Sequence, residues 1–136
     1  CLGDCYRLGQ GVEQNYSESF KWYQLSARQG NSVAQLYLGV LYDEGVGVEQ
    51  NLELAVDWYR RSADQGNAGA QCCLGDCYRL GQGVEQDYSV AFKWYRLSAE
   101  QDYSDAQLRL GVLYAEGLGV EQNLELAADW YRKSAE

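Results

Sequence analysis

The sequence predicts an all-α fold, a right-handed α-α superhelical solenoid of about four 36-residue helix-turn-helix repeats. Three observations predict it. Leu-Gly recurs at Leu2-Gly3, Leu38-Gly39, Leu74-Gly75 and Leu110-Gly111, 36 residues apart each time with no insertion. Between glycine-rich breaks, apolar residues fall at helical spacing. The chain also contains no Pro, so only its 15 Gly interrupt helices.

The other landmarks keep the same step. Tyr6, Tyr42, Tyr78 and Tyr114 form one column, and Trp22-Tyr23, Trp58-Tyr59, Trp94-Tyr95 and Trp130-Tyr131 form another. Gly-x-Gly-Val recurs from Gly9, Gly45, Gly81 and Gly117, and Ser-Ala from Ser26, Ser62, Ser98 and Ser134. The units run over residues 1–30, 31–66, 67–102 and 103–136, the first and last incomplete. A slower 72-residue period overlies them: residues 1–64 and 73–136 agree at 50 of 64 positions, and CLGDCYRLGQGVEQ stands at both Cys1 and Cys73. The array therefore reads as A-B-A-B, grown by copying pairs of units. With no Met, the chain reads as a fragment or a processed product.

Residues 31–66 illustrate one unit. Ser32 with Gln35 reads as a capping box opening a first helix, and Ser104 with Gln107 repeats it. Ala34, Leu38, Leu41 and Tyr42 share one face, and Gly45 ends the helix in the left-handed conformation. After the turn over residues 45–50, Asn51 caps a second helix. There Leu52, Ala55, Val56, Trp58, Tyr59, Ser62 and Ala63 share a broad face, and Gly66-Asn67 closes the unit. Gly inside a helix costs ~1 kcal/mol relative to Ala. Its recurrence at 3, 39, 75 and 111, with Ala55, Ala91 and Ala127 opposite, marks close helix crossings. The Trp and Tyr columns then fill the wider gaps, and neighbouring hairpins complete one another's core.

Ala34-Gln35-x-x-Leu38-Gly39-x-x-Tyr42-x-x-Gly45-x-Gly47-Val48 followed by Ala55-x-x-Trp58-Tyr59-x-x-Ser62-Ala63-x-x-Gly66 resembles the Sel-one-like repeat, a longer relative of the tetratricopeptide repeat. The resemblance covers the whole chain. It implies a stacked-hairpin solenoid acting as an adaptor that assembles complexes. Two departures stand out. Asp102-Tyr103 replaces Gly-Asn between units three and four, so that turn is expected to differ, and Ser62 and its equivalents stand where the family more often has Ala. Cysteine-rich secreted members place one Cys on each helix of a hairpin, a pattern absent here.

Chemistry is hard to find. The chain has no His, so the commonest general base is missing, and a Cys nucleophile would lack its activating partner. The Gly-x-Gly stretches follow helices instead of strands, which fits hairpin turns and not a dinucleotide loop. Of the five Cys, Cys5 and Cys77 share the column of Leu41 and Leu113 and read as small buried hydrophobes. Cys1 and Cys5 lie two repeats from Cys73 and Cys77. At ~8–10 Å per helix layer that is too far for a shared zinc ion or a disulfide. A bond from Cys72 or Cys73 to another chain stays open. Carboxylates such as Asp43/Glu44 and Glu53/Asp57 read as a solvated face, and Asp57–Arg61 and Asp129–Lys133 as helix-stabilising pairs. Asn15-Tyr16-Ser17 is a glycosylation sequon whose twin reads Asp87-Tyr88-Ser89. The sequence predicts no enzyme, no cofactor and no metal.

The net charge of −9 repels phosphate backbones and excludes nucleic acid as a partner; it serves solubility or a basic partner. No apolar run approaches the ~18 residues of a membrane span, and no signal peptide is visible, so no membrane insertion is expected. Binding is expected on the concave face lined by first helices. Counting about 100° per residue from Ala34, positions 36, 40, 43 and 44 point outward. Carried along the array, the partner strip comprises Asp4, Arg7, Leu8, Val40, Asp43, Glu44, Asp76, Arg79, Leu80, Val112 and Glu116, with Leu36, Cys72, Leu108 and Ala115 in the same columns. Such a mixed apolar and charged groove suits an extended peptide or a partner helix. The competing reading is that part of the strip packs against neighbouring units.

The functional expectation is a protein–protein interaction scaffold. The alternative is a self-assembling solenoid that forms filaments or fibres by head-to-tail stacking. Near-identical double repeats, no polar capping helix and an unbroken 36-residue step favour that alternative.

Overall fold

A computed structural model describes residues 16–135 of the chain. Among them are seven helices and no strand: α1 (Tyr16–Arg28), α2 (Ser32–Glu44), α3 (Leu52–Asp64), α4 (Ala68–Leu80), α5 (Tyr88–Ala99), α6 (Ser104–Glu116) and α7 (Leu124–Ala135). The pairs α2/α3, α4/α5 and α6/α7 pack as hairpins, and α1/α2, α3/α4 and α5/α6 join one hairpin to the next. The chain is thus a solenoid of stacked helical hairpins, as its spacing predicts.

The close crossings lie where the small residues recur. A Cβ on Gly75 would sit 2.7 Å from the Tyr95 ring, and one on Gly111 would sit 2.8 Å from Tyr131 and 3.2 Å from the Ala127 carbonyl oxygen. Glycine lets the tyrosine of the second helix lie flat on the first, which is why Tyr59 and Tyr95 are among the most buried side chains. The tryptophans behave otherwise. Trp22 is exposed and Trp58, Trp94 and Trp130 are half-buried, so the Trp column rims the core and does not fill it. Arg61 and Lys133 cover two of these rings, at 4.6 Å from Trp58 and 4.5 Å from Trp130. Because these cations lie over the rings, the expected Asp57–Arg61 and Asp129–Lys133 pairs are not formed; Asp129 pairs with Arg132 instead.

Polar repeat residues bind the units together. Gln35, Gln71 and Gln107 are buried, and each donates its amide to the carbonyl of Ala27, Ala63 or Ala99 in the preceding unit. Gln65 and Gln101 donate in turn to Gln35 and Gln71. Ser62, Ser98 and Ser134 donate to the carbonyls of Ser32, Ala68 and Ser104, so the hydroxyl standing where Ala is commoner ties the end of one helix to the start of its partner. Leaving buried Gln35, Gln71, Gln107, Ser62 or Ser98 unpaired would cost ~1–3 kcal/mol each, which fits their recurrence along the array.

The caps are partly as predicted. Gly45, Gly81 and Gly117 end first helices at φ 69, 70 and 68, and Asn51 caps α3 by accepting from Leu54 N–H. The Ser32/Gln35 capping box is not formed, because Asn31 is the cap and Gln35 is engaged with Ala27. Asn67 caps α4 in the same way. At the altered turn, Asp102 takes the left-handed position (φ 66) that Gly30 and Gly66 occupy elsewhere. Tyr103 then precedes α6 without a side-chain cap bond, so Ser104 opens no capping box either.

Candidate functional site

First helices carry the side chains expected to meet a partner. Asp43 and Glu44 end α2, and Asp76, Arg79 and Leu80 end α4; Val112 and Glu116 lie on α6. Asp4, Arg7 and Leu8 lie outside the described residues, as does Asn15 of the sequon.

The centre of the strip is built by tyrosines of the second helices. Tyr59 Oη donates to Asp43 Oδ2 at 3.0 Å. One repeat later the Tyr95 hydroxyl donates to Asp76 Oδ1 and accepts from Arg79 Nε at 3.0 Å. Arg109 reaches across from α6, its Nε 2.8 Å from Asp76 Oδ1. That contact is an ion pair and not a hydrogen bond, since the approach is too far off axis for the Nε hydrogen. Arg79 Nη2 stands 3.7 Å from the same carboxylate oxygen.

The electrostatics follow from this burial. Asp43 is half-buried and its carboxyl titrates above the usual carboxylate range. Burial is the main cause, the Tyr59 hydrogen bond opposes it, and the charge of Asp76 adds to it. Glu44 is raised by burial and by the adjacent Asp43. Burial and the Asp76 charge push the Tyr95 phenol far up, so it remains a donor to that carboxylate. Arg109 is held charged: burial, the largest single influence, opposes its charge, but Asp76 together with Cys72 and Tyr95 outweighs it.

Part of the expected strip is thereby brought together: Asp43 and Asp76 interact with each other, and Arg79 joins Asp76. Leu80, Val112 and Glu116 are exposed. Val40 is not on a binding surface. It is 2% exposed, in a cluster with Val56 of α3 and Cys77 of α4. Cys72 is likewise buried, among Tyr95 of α5 and Leu110 of α6. Both corrections have one reason: a helix between its own partner and the next unit buries more of its circumference than a single hairpin would. Three participants escaped the sequence reading. Tyr59 and Tyr95 were visible as core columns, but their hydroxyls end on the strip. Arg109 stands in the column of Tyr37 and Cys73, and the signal was its coincidence with Asp76 in the Val40/Val112 column.

The cysteines add no chemistry here. Cys72 and Cys77 are free and buried, with burial the main cause pushing each thiol up to about 12. Burial also removes Cys72 as a link to another chain. Cys73 is disulfide-bonded; the expectation that no bond joins it to Cys1 or Cys5 falls on residues outside those described. Among the described residues no cluster of three or more His, Cys, Asp or Glu could hold a metal ion. No helix among them is long and apolar enough to cross a membrane.

Stacked helical hairpins with a polar first-helix strip define a repeat scaffold. The chain belongs to the Sel1 repeat family, whose model matches residues 2–31, 32–67, 68–103 and 104–136. It is similar to a protective antigen present in uropathogenic Escherichia coli strains displaying an SLR fold, at 44% identity and a TM-score of 0.89, covering 98% of this chain and 29% of the antigen. It is also similar to a Sel1 repeat protein from Oxalobacter formigenes, at 38% identity and a TM-score of 0.87, covering 97% of this chain and 52% of that one. The chain therefore spans about half or less of these relatives' length. Helicobacter pylori cysteine rich protein B shares the fold at 20% identity and a TM-score of 0.69, over 93% of this chain and 91% of that protein. No curated protein matches the chain. Sel1 repeats commonly serve as protein-interaction scaffolds and are typically non-catalytic.

Proposed function

We infer that this chain is a non-enzymatic adaptor that holds a partner peptide or protein along its concave, first-helix face. One observation carries the reading. Buried tyrosines fix the half-buried carboxylates Asp43 and Asp76 on that face, so its charges are ordered before any partner arrives. Preorganised polar groups reduce the ordering cost of binding, a property that a merely solvated face does not need. Asp76 is paired with Arg79 and Arg109, whereas Asp43 and Glu44 have no cation beside them among the described residues, and burial together with the Asp43 charge raises Glu44, so the pair favours an incoming cation. With Leu80 exposed nearby on α4, the face suits an extended segment carrying a Lys or Arg beside an apolar side chain.

Selection of peptides from a displayed library tests this. The wild-type chain is expected to enrich basic-apolar segments. The Asp43→Lys/Glu44→Lys variant should bind the same segments at least about tenfold more weakly. Equal binding by both would remove the strip from the function.

A second reading is end-to-end assembly into fibres. The agreement of residues 1–64 with 73–136 at 50 of 64 positions, as in a lattice of equivalent units, supports it.

A further inference from the structure

We propose that Arg79 and Arg109, steadied by Asp76, hold a carboxylate of the bound segment, so that the first-helix strip accepts a partner carrying an acidic side chain near its basic one; this rests on the adaptor reading. The observation lies at one joint of the array. Asp76 of α4 meets two cations: Arg79 of its own helix, with Nη2 at 3.7 Å, and Arg109 of α6, with Nε at 2.8 Å. One arginine would neutralise the carboxylate. The second leaves the cluster with an excess positive charge, because the Tyr95 phenol that also binds Asp76 stays protonated.

The two guanidiniums have donors left over. Arg79 is anchored through Nε, which donates to the Tyr95 hydroxyl at 3.0 Å, and its Nη2 stands too far from Asp76 for a hydrogen bond. Arg109 approaches Asp76 off axis and otherwise meets the buried Cys72. The two side chains are 31% and 36% exposed, so an incoming group can reach both. A guanidinium fork binds a carboxylate through two parallel N–H bonds. The single excess charge matches a carboxylate and falls short of a dianionic phosphate. Leu80, exposed next to Arg79, offers the apolar contact.

The near-copied halves of the chain differ at this joint. Arg109 stands where the other copy has Tyr37, and Asp43 where the other copy has Ala115. Both departures add charge, of opposite sign, on the two helices that flank α4. Asp43 of α2, with no cation beside it among the described residues, is close enough to Asp76 for the two charges to interact. An acidic and a cationic subsite thus stand on neighbouring first helices. Helix layers pack about 8–10 Å apart, and an extended chain rises about 3.3 Å per residue. A segment whose basic and acidic side chains lie about two to four residues apart spans both subsites.

Selection from a displayed peptide library at neutral pH, run with the wild-type chain and with Arg109→Tyr, tests the proposal. That substitution installs the residue of the other copy and leaves Asp76 its Arg79 and Tyr95 partners, so the helical circular dichroism should match wild type; Arg109→Gln should behave alike. Wild type should enrich segments with Asp or Glu within about four residues of Lys or Arg, a preference that the net charge of −9 opposes. In one such synthetic peptide, changing the acid to its amide should weaken wild-type binding at least about fivefold and change Arg109→Tyr binding by less than about twofold. Enrichment of basic-apolar segments with no acidic neighbour, or an acid preference that both variants retain in full, would overturn this subsite and keep the adaptor reading. Tighter binding when phosphoserine replaces the acid would overturn the carboxylate in favour of a phosphate. No enriched segment at all would overturn the adaptor reading and this subsite with it.

Discussion

The Gly75 backbone touches the face of the Tyr95 ring so closely that one added methyl group would lie 2.7 Å from ring carbon Cε1. The ring cannot retreat, being fully buried and tied by its hydroxyl to Asp76 and Arg79. Two effects of Gly75→Ala therefore oppose each other. Helix propensity favours Ala by ~1 kcal/mol. Overpacking a closed contact costs about 1–3 kcal/mol. The clash should win, and chemical denaturation should show a net loss of roughly 1 kcal/mol or more. A neutral or stabilising result would mean the hairpin can open at no cost.

Asp43 gives a pH-dependent counterpart. Its folded-state carboxyl titrates above its unfolded value, chiefly through burial. The folded state therefore binds more protons, and stability attributable to this group falls as pH rises through the window from 3.8 to the raised value. Asp43→Asn retains an acceptor for the Tyr59 hydroxyl and removes the penalty. The variant should exceed wild type by up to about 1 kcal/mol at neutral pH, a figure held down by solvent screening of a half-exposed group. The gap should close on acidification below the ordinary carboxylate range. Thermal melts from neutral to acid pH would show this, and a gap that widened toward acid would reverse the sign assigned here.

Cys72 and Cys77 are predicted to be inert. Their thiols are buried and pushed up to about 12, so almost no thiolate exists at pH 8. Iodoacetamide should leave both unmodified in the native chain, and both should react once it is unfolded in denaturant, as read by peptide mass mapping. Rapid native labelling of either would contradict the burial of that helix.

Much of this architecture was legible because each repeated residue does one repeated job. Gly39 and Gly75 announced helix crossings, Gly45 and Gly81 announced helix ends, and Asn51 announced a cap. What escaped legibility depends on more than one unit. Val40 looked outward on a wheel drawn for an isolated hairpin, but the following unit covers it. The capping role fell to Asn31 because Gln35, the expected box partner, was already committed to Ala27. The Asp76–Arg109 pair joins columns 33 residues apart, a spacing that no single-helix rule examines. On the strip, composition located the charges, while the tyrosine hydroxyls that orient them became visible only in three dimensions.

The turn between α5 and α6 is the one inter-unit turn among those described that departs from the pattern, and it should be the easiest to improve. Asp102 adopts φ 66 where Gly30 and Gly66 stand at φ 95 and 90. A residue with a Cβ is strained in that region by roughly 1 kcal/mol, although Asp tolerates it better than most. Asp102 is exposed, so little packing is lost on replacing it. Asp102→Gly removes the strain but also gives the unfolded chain more freedom, which offsets part of the gain. The expected net change is a stabilisation of about 0.5 kcal/mol. Asp102→Val carries a β-branched side chain into the same conformation and should lose 1 kcal/mol or more, by the same strain argument at roughly twice the cost. Denaturation midpoints for the two variants on either side of wild type would establish the backbone as the cause. Two midpoints shifted in the same direction would point instead to the lost carboxylate.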